Sequence, residues 1–137
     1  MIFVDTNVFM YAVGRQHPLQ AEARLFFDES LATQWRLVTS SEVLQELLHA
    51  YLPVQRISTL DAALALVDTC VSSVWSVEAE DVRFARVLLD RFPDLSARDL
   101  LHLACCKRRG VHNVKTFDRI FGGAVSSLSP PPPLPFP

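Results

Sequence analysis

The chain has 137 residues, half of them hydrophobic, and a formal net charge of −2. That length and apolar share suit one domain with a buried core. The charge excludes the globally basic class of proteins that coat nucleic acid indiscriminately, though a local basic rim and bound cations still allow an RNA substrate.

In chain order, Met1 to Val4 is a short apolar run suited to an inner strand. No basic region with a long apolar stretch precedes it, so neither a signal peptide nor a membrane span is expected. Asp5 can cap a helix over residues 6–13, which Gly14 stops. His17-Pro18 opens a second helix to about residue 33, with Ala21, Leu25 and Phe26 at helical spacing. Trp35 to Thr39 alternates as a second strand. Thr39, Ser40 and Ser41 offer caps for a third helix, where Leu44, Leu47, Leu48 and Tyr51 form a core stripe that Pro53 ends. A fourth helix starts at Ser58 or Thr59 and turns Leu60, Ala63, Leu64 and Val67 inward.

Val71 to Val77 reads as a third strand, interrupted by serines. Residues 78–91 read as a helix with Val82, Ala85, Leu88 and Leu89 inward. Ser96 caps a helix through Arg109, and Gly110 ends it. Val111 to Thr116 is a short strand. Asp118 to Phe121 is a helical turn that Gly122-Gly123 breaks, and Ala124 to Leu128 adds an edge strand. Trp35 and Trp75 are expected in the core.

Strands alternating with helices imply an α/β fold with a mainly parallel sheet covered on both faces. Ligand chemistry in such sheets gathers beyond the carboxyl ends of the strands, near a switch in strand order. Six of the nine prolines fall within Pro130 to Pro137. Residues 1–128 are therefore expected as the domain and 129–137 as an extended Pro-rich tail. Cys70, Cys105 and Cys106 follow no metal spacing and read as free thiols, which suits a reducing cytoplasm.

Asp5, Glu46, Asp99 and Asp118 each stand where an element begins or turns, beside apolar sequence. An ionised carboxylate next to a core is costly unless it is paired, hydrogen-bonded or bound to a cation. Too few well-placed Lys or Arg accompany these four to neutralise them all, so a divalent ion is the natural counter-charge. Glu42 lies one helical turn before Glu46, at the helix start, where the dipole already favours an acid. Asp99 and Asp118 each have an ordinary capping role open to them. His102 shares a face with Asp99 and reads as a core or hydrogen-bonded histidine. Lys107-Arg108-Arg109 answers the dipole at a helix end or forms a phosphate-contacting rim.

The ordered set Val4-Asp5-Thr6-Asn7-Val8, Thr39 to Leu47, Ala97 to Ala104 and Lys115-Thr116-Phe117-Asp118-Arg119-Ile120-Phe121 resembles the PIN domain, a family of metal-dependent ribonucleases. The resemblance covers nearly all of residues 1–128, and the compact length is similar to the VapC toxins of toxin–antitoxin pairs. It implies a three-layer sandwich and ligation of Mg²⁺ or Mn²⁺ by Asp5, Glu46, Asp99 and Asp118. The metal would activate water to cleave RNA. Thr6, Asn7 and Thr116 would support the site. Glu46 matches the family position through the preceding Val43-Leu44-Gln45, leaving Glu42 as an outer member. A VapB-type antitoxin and a homodimer are the implied partners. Phe117 stands where the family often has a small or polar residue, and the Pro-rich tail has no counterpart.

Two other classes fit parts of the pattern. A phosphatase or phospho-acceptor domain would use Asp5 as nucleophile, but such phosphatases want a second Asp at the position of Asn7. A non-catalytic binding module would use the carboxylates only as helix caps.

Overall fold

β1 (Ile2–Val4) lies inside a four-stranded sheet between β2 (Leu37–Ser40) and β4 (Asn113–Lys115), with β3 (Val71–Trp75) outside β2. All the pairings are parallel: Phe3 faces Val38 and Val114, and Val4 faces Lys115. The computed structural model describes residues 1–127, so the expected tail at 129–137 lies outside the described residues. Seven helices flank the sheet: α1 (Thr6–Val13), α2 (Gln20–Thr33), α3 (Ser41–Tyr51), α4 (Ile57–Cys70), α5 (Ala79–Leu89), α6 (Ala97–Arg108) and α7 (Arg119–Ser127). Helices α1 to α4 pack chiefly on one another, and so do α5 to α7. Such a sheet is buried on both faces, which explains why β2 is buried along its whole length. No helix of the described residues is long and apolar enough to cross a membrane.

The chain leaves β1 for β2 on one side and returns through β4 on the other, so the switch in strand order falls between β1 and β4. A crevice opens at that point in open α/β sheets.

The core stripes differ from the expected ones in three helices. In α2 the buried residues are Ala23, Phe26, Phe27 and Ser30, while Leu25 is 55% exposed. Ala21 is exposed too. In α3 Val43, Leu47 and Tyr51 are buried but Leu48 is exposed. In α5 Asp81, Ala85 and Leu88 are buried and Val82 is exposed. In each helix an apolar residue beside the buried stripe stays exposed: Leu25, Leu48 and Val82.

Trp35 is neither in a strand nor in the core; it is 43% exposed and lies over Phe26 at 6.2 Å. Helix α2 ends on Gln34 in the left-handed region (φ 57°), and the Trp35 N–H closes the helix on Ser30 O at 3.1 Å. The strand therefore starts only at Leu37. Trp75, half-buried, does pack inward, stacked on Phe3 at 5.7 Å. Strands β3 and β4 are shorter than expected, stopping at Trp75 and spanning only Asn113–Lys115.

The last segment is a helix, not a turn followed by a strand. Asp118 Oδ1 accepts from Ile120 N at 3.0 Å and Phe121 N at 3.2 Å, which starts α7. Phe121, Ala124 and Val125 then bury at helical spacing. That burial outweighs the roughly 1 kcal/mol that each glycine costs a helix interior. Gly122 is also constrained, because a Cβ there would sit 3.3 Å from Thr116 Cγ2.

Candidate metal centre

Asp5 follows β1 directly and caps α1, accepting from Thr6 N at 2.8 Å through Oδ1. Only 5% exposed, it takes a second hydrogen bond at Oδ2 from the Thr116 hydroxyl, 2.6 Å away beyond the end of β4. Thr116 Oγ1 in turn accepts from Asp118 N at 3.0 Å and from Asn7 Nδ2 at 3.4 Å. Asn7 Oδ1 receives the Phe117 N–H at 3.2 Å. This hydroxyl and this amide lock the end of β1 to the end of β4.

Glu46 reaches the same place from the middle of α3. Its Oε2 accepts from the Thr6 hydroxyl, and its Oε1 lies 2.8 Å from His102 Nε2 on α6. Asp99 enters from the first turn of α6, whose N-cap Ser96 accepts the Asp99 N–H at 3.2 Å. Asp118 comes from the loop after β4. Asp5, Glu46, Asp99 and Asp118 thus line one cleft of about 450 Å³, together with Thr6, Asn7, Arg98 and His49. Glu42 is not among the residues that line it; it stands in the first turn of α3.

The electrostatics are those of crowded anions. Burial raises the pKa of Asp5 against the opposing pull of His102 and Thr116. The Asp99 carboxyl is pushed up to about 6 by burial and then by the charges of Asp5 and Asp118. Burial works the same way on Glu46, but the hydrogen bond and charge of His102 and the Thr6 hydroxyl win, and its pKa falls. His102 is fully buried; burial opposes its protonation, yet the hydrogen bond to Glu46 and the charges of Glu46, Asp5 and Asp99 hold its pKa up.

These residues fit a hard divalent cation. The donors are carboxylate oxygens from separate elements, the set that such ions prefer. The mutual repulsion that lifts Asp99 is what a cation between the groups would relieve. Asp5, Glu46 and His102 each offer a ligand atom, all within 4.8 Å of one another.

Several sequence expectations meet this geometry. Thr6, Asn7 and Thr116 all hydrogen-bond to or beside the acids. Phe117 does not fill the cleft; its ring packs edge-on against Tyr11 at 5.4 Å, with Lys115 Nζ 5.2 Å from its centre. Lys107-Arg108-Arg109 had two readings open, an answer to the helix dipole or a phosphate-contacting rim, and two of the three cations are engaged elsewhere. Arg108 and Arg109 both grip the buried Asp81, at 2.6 and 2.9 Å. What the sequence did not reveal is His102 as the partner of Glu46. Its three-residue spacing from Asp99 was the one available signal.

The PIN domain family matches residues 2–124. Ribonuclease VapC23 of Mycobacterium tuberculosis is 62% identical over 127 residues, 93% of this chain and 100% of that one. The chain belongs to the PIN-domain family. Within that family its relatives are VapC proteins. Ribonuclease VapC13 of Mycobacterium tuberculosis is 39% identical over 121 residues, covering 88% of this chain and 92% of the relative. Among solved structures, the Mycobacterium tuberculosis VapC20, a sarcin-ricin loop cleaving toxin, matches with a TM-score of 0.68. That match has 24% identity and covers 90% of this chain and 95% of VapC20. VapBC2 from Rickettsia felis, solved bound to a DNA fragment from their promoter, gives 0.63 at 20% identity, with 86% and 88% covered. The PIN fold expected from the motifs is the fold observed.

Proposed function

We propose that this PIN-domain protein is a metal-dependent endoribonuclease of the VapC type, the toxin of a toxin–antitoxin pair. The observation that carries the reading is the convergence of Asp5, Glu46, Asp99 and Asp118 on one cleft at the β1/β4 switch point. In this reading the four carboxylates hold Mg²⁺ or Mn²⁺. When bound, such an ion lowers the pKa of a water and offsets charge on the phosphate. The protein's own groups supply position: Thr6 and His102 fix Glu46, and Thr116 and the Thr6 N–H fix Asp5. Arg98 and His49, at the cleft wall, face an incoming RNA phosphate. Glu42 answers the helix dipole as an outer member.

The VapC relatives support a VapB-type antitoxin as partner. Exposed Leu48, Leu52, Val54 and Ile57, at the turn from α3 to α4, support an apolar contact with that antitoxin or with a second copy in a homodimer. Free cysteines suit action in the cytoplasm.

An Asp5 nucleophile is the weaker reading, since both carboxylate oxygens are engaged and Asn7 fills the position of the second acid. The test is cleavage of RNA by nuclease-free protein with Mn²⁺. Asp5→Asn should lower the rate by more than about 100-fold, beyond the usual loss on removing an outer partner of a metal ligand, with circular dichroism unchanged. Wild-type cleavage by the folded variant would refute the assignment.

A further inference from the structure

His102 carries the most specific observations. Its side chain is wholly buried, and its ring packs against Phe3 at 5.5 Å and Phe121 at 5.9 Å, which also meet each other at 6.5 Å. Nε2 lies 2.8 Å from Glu46 Oε1 and 4.0 Å from Asp5 Oδ1. Among the described residues, nothing hydrogen-bonds to the buried Nδ1. An imidazole bearing its proton on Nε2 leaves only an acceptor lone pair unsatisfied at Nδ1. The other tautomer would bury an unpaired N–H there and set two acceptors against each other at Glu46.

Glu46 is the one glutamate among the four acids, with an extra rotatable bond and more rotamer freedom to lose. It reaches the cleft from α3, while His102 stands on α6. Each of its oxygens accepts one fixed donor, the Thr6 hydroxyl or the His102 ring. Each oxygen keeps a lone pair for a cation.

We infer that His102 is a positioning residue. As an Nε2–H donor packed against Phe3 and Phe121, it holds the Glu46 carboxylate in the geometry that receives the metal, and it is not itself a ligand. The inference rests on the metal-centre reading above and adds a part for α6 besides Asp99. The principle is general: an outer donor that orients a ligand changes metal affinity by about 10- to 100-fold when lost.

The experiment is Mn²⁺ titration of the intact chain, followed by electron paramagnetic resonance of the free ion, with no RNA present. His102→Leu should weaken Mn²⁺ binding by about 10- to 100-fold. His102→Gln, whose amide N–H can take the place of Nε2–H, should recover most of that loss. Pulsed resonance of the wild-type Mn²⁺ complex should show no directly bonded imidazole nitrogen. A directly bonded nitrogen would overturn the inference, as would a folded His102→Leu with wild-type affinity. Should His102→Leu fail to fold, a His102→Gln variant that folds but binds Mn²⁺ more than about 10-fold more weakly would overturn it too. A wild-type protein that binds no Mn²⁺ would remove the metal-centre reading and this inference together; an unaffected leucine variant removes only the inference.

Discussion

A single hydroxyl organises much of the cleft. Thr116 Oγ1 donates to Asp5 and accepts from Asp118 N and Asn7 Nδ2, which fills its hydrogen-bonding capacity. Asp99 is lifted first by burial and then by the charges of Asp5 and Asp118, against His102 and a hydrogen bond from Ser96, so its titration gives a test. Its ordinary pKa of 3.8 is raised to about 6 in the folded chain. Between those values the folded state keeps a proton that the unfolded state has lost, so the stability this group contributes at low pH is lost as pH rises toward 6. With a chelator present, the thermal midpoint of the wild type should fall more between pH about 4 and about 6 than that of Asp99→Asn. Saturating Mn²⁺ should reverse the wild-type fall, because the cation favours the ionised form. Equal slopes for the two proteins would show that Asp99 is not under this strain. The four acids could be picked out in the sequence because each interrupts apolar surroundings. The His102–Glu46 pair could not, since its members lie 56 residues apart and no local pattern joins α3 to α6.

At the scale of elements, the α5–α6 pair is held by a buried charge. Asp81 is fully buried in the first turn of α5 and closes a capping box with Glu78. Burial alone would raise its pKa, but hydrogen bonds from Arg109, Glu78 N and Arg108 hold it well below the carboxylate range. Arg109 also donates to Cys105 O and Ser76 O and lies over the Trp75 ring at 5.1 Å. Removing the acid leaves Arg108 without its anion and Arg109 with only Glu78 Oε1 at 3.9 Å. Asp81→Ala should therefore cost about 3–5 kcal/mol of stability in urea unfolding, and a loss under about 1 kcal/mol would place the pair among ordinary surface bridges. Helices with caps were easy to read: Ser40, Ser96, Gly14 and Gly110 all sit at helix boundaries. Gly110 has φ +69°, a conformation that suits glycine. Short parallel strands and α7 were harder. Three-residue strands such as β1 and β4 carry too little periodicity to mark their ends, and in α7 paired glycines hid a stripe that only packing reveals.

Across the whole molecule, the core extends from Phe3 to Val125 and the family match from residue 2 to 124. We propose that residues 1–128 hold all that the packing of the domain requires. A chain ended after Leu128 should keep the thermal midpoint of the full chain within about 1 °C, below the roughly 2–8 °C that 1 kcal/mol shifts in domains of this class, and should keep its RNA cleavage. A large drop would mean that the prolines contribute to the fold. The sheet order has a consequence of another kind. Strand β1 is flanked on one side by β4, and Val4 pairs with Lys115 far along the chain. Such long-range pairing forms late, after the cost of closing a long loop is met. During synthesis Asp5, Glu46 and Asp99 leave the ribosome well ahead of Thr116 and Asp118, so the cleft lacks one wall until those two residues have emerged.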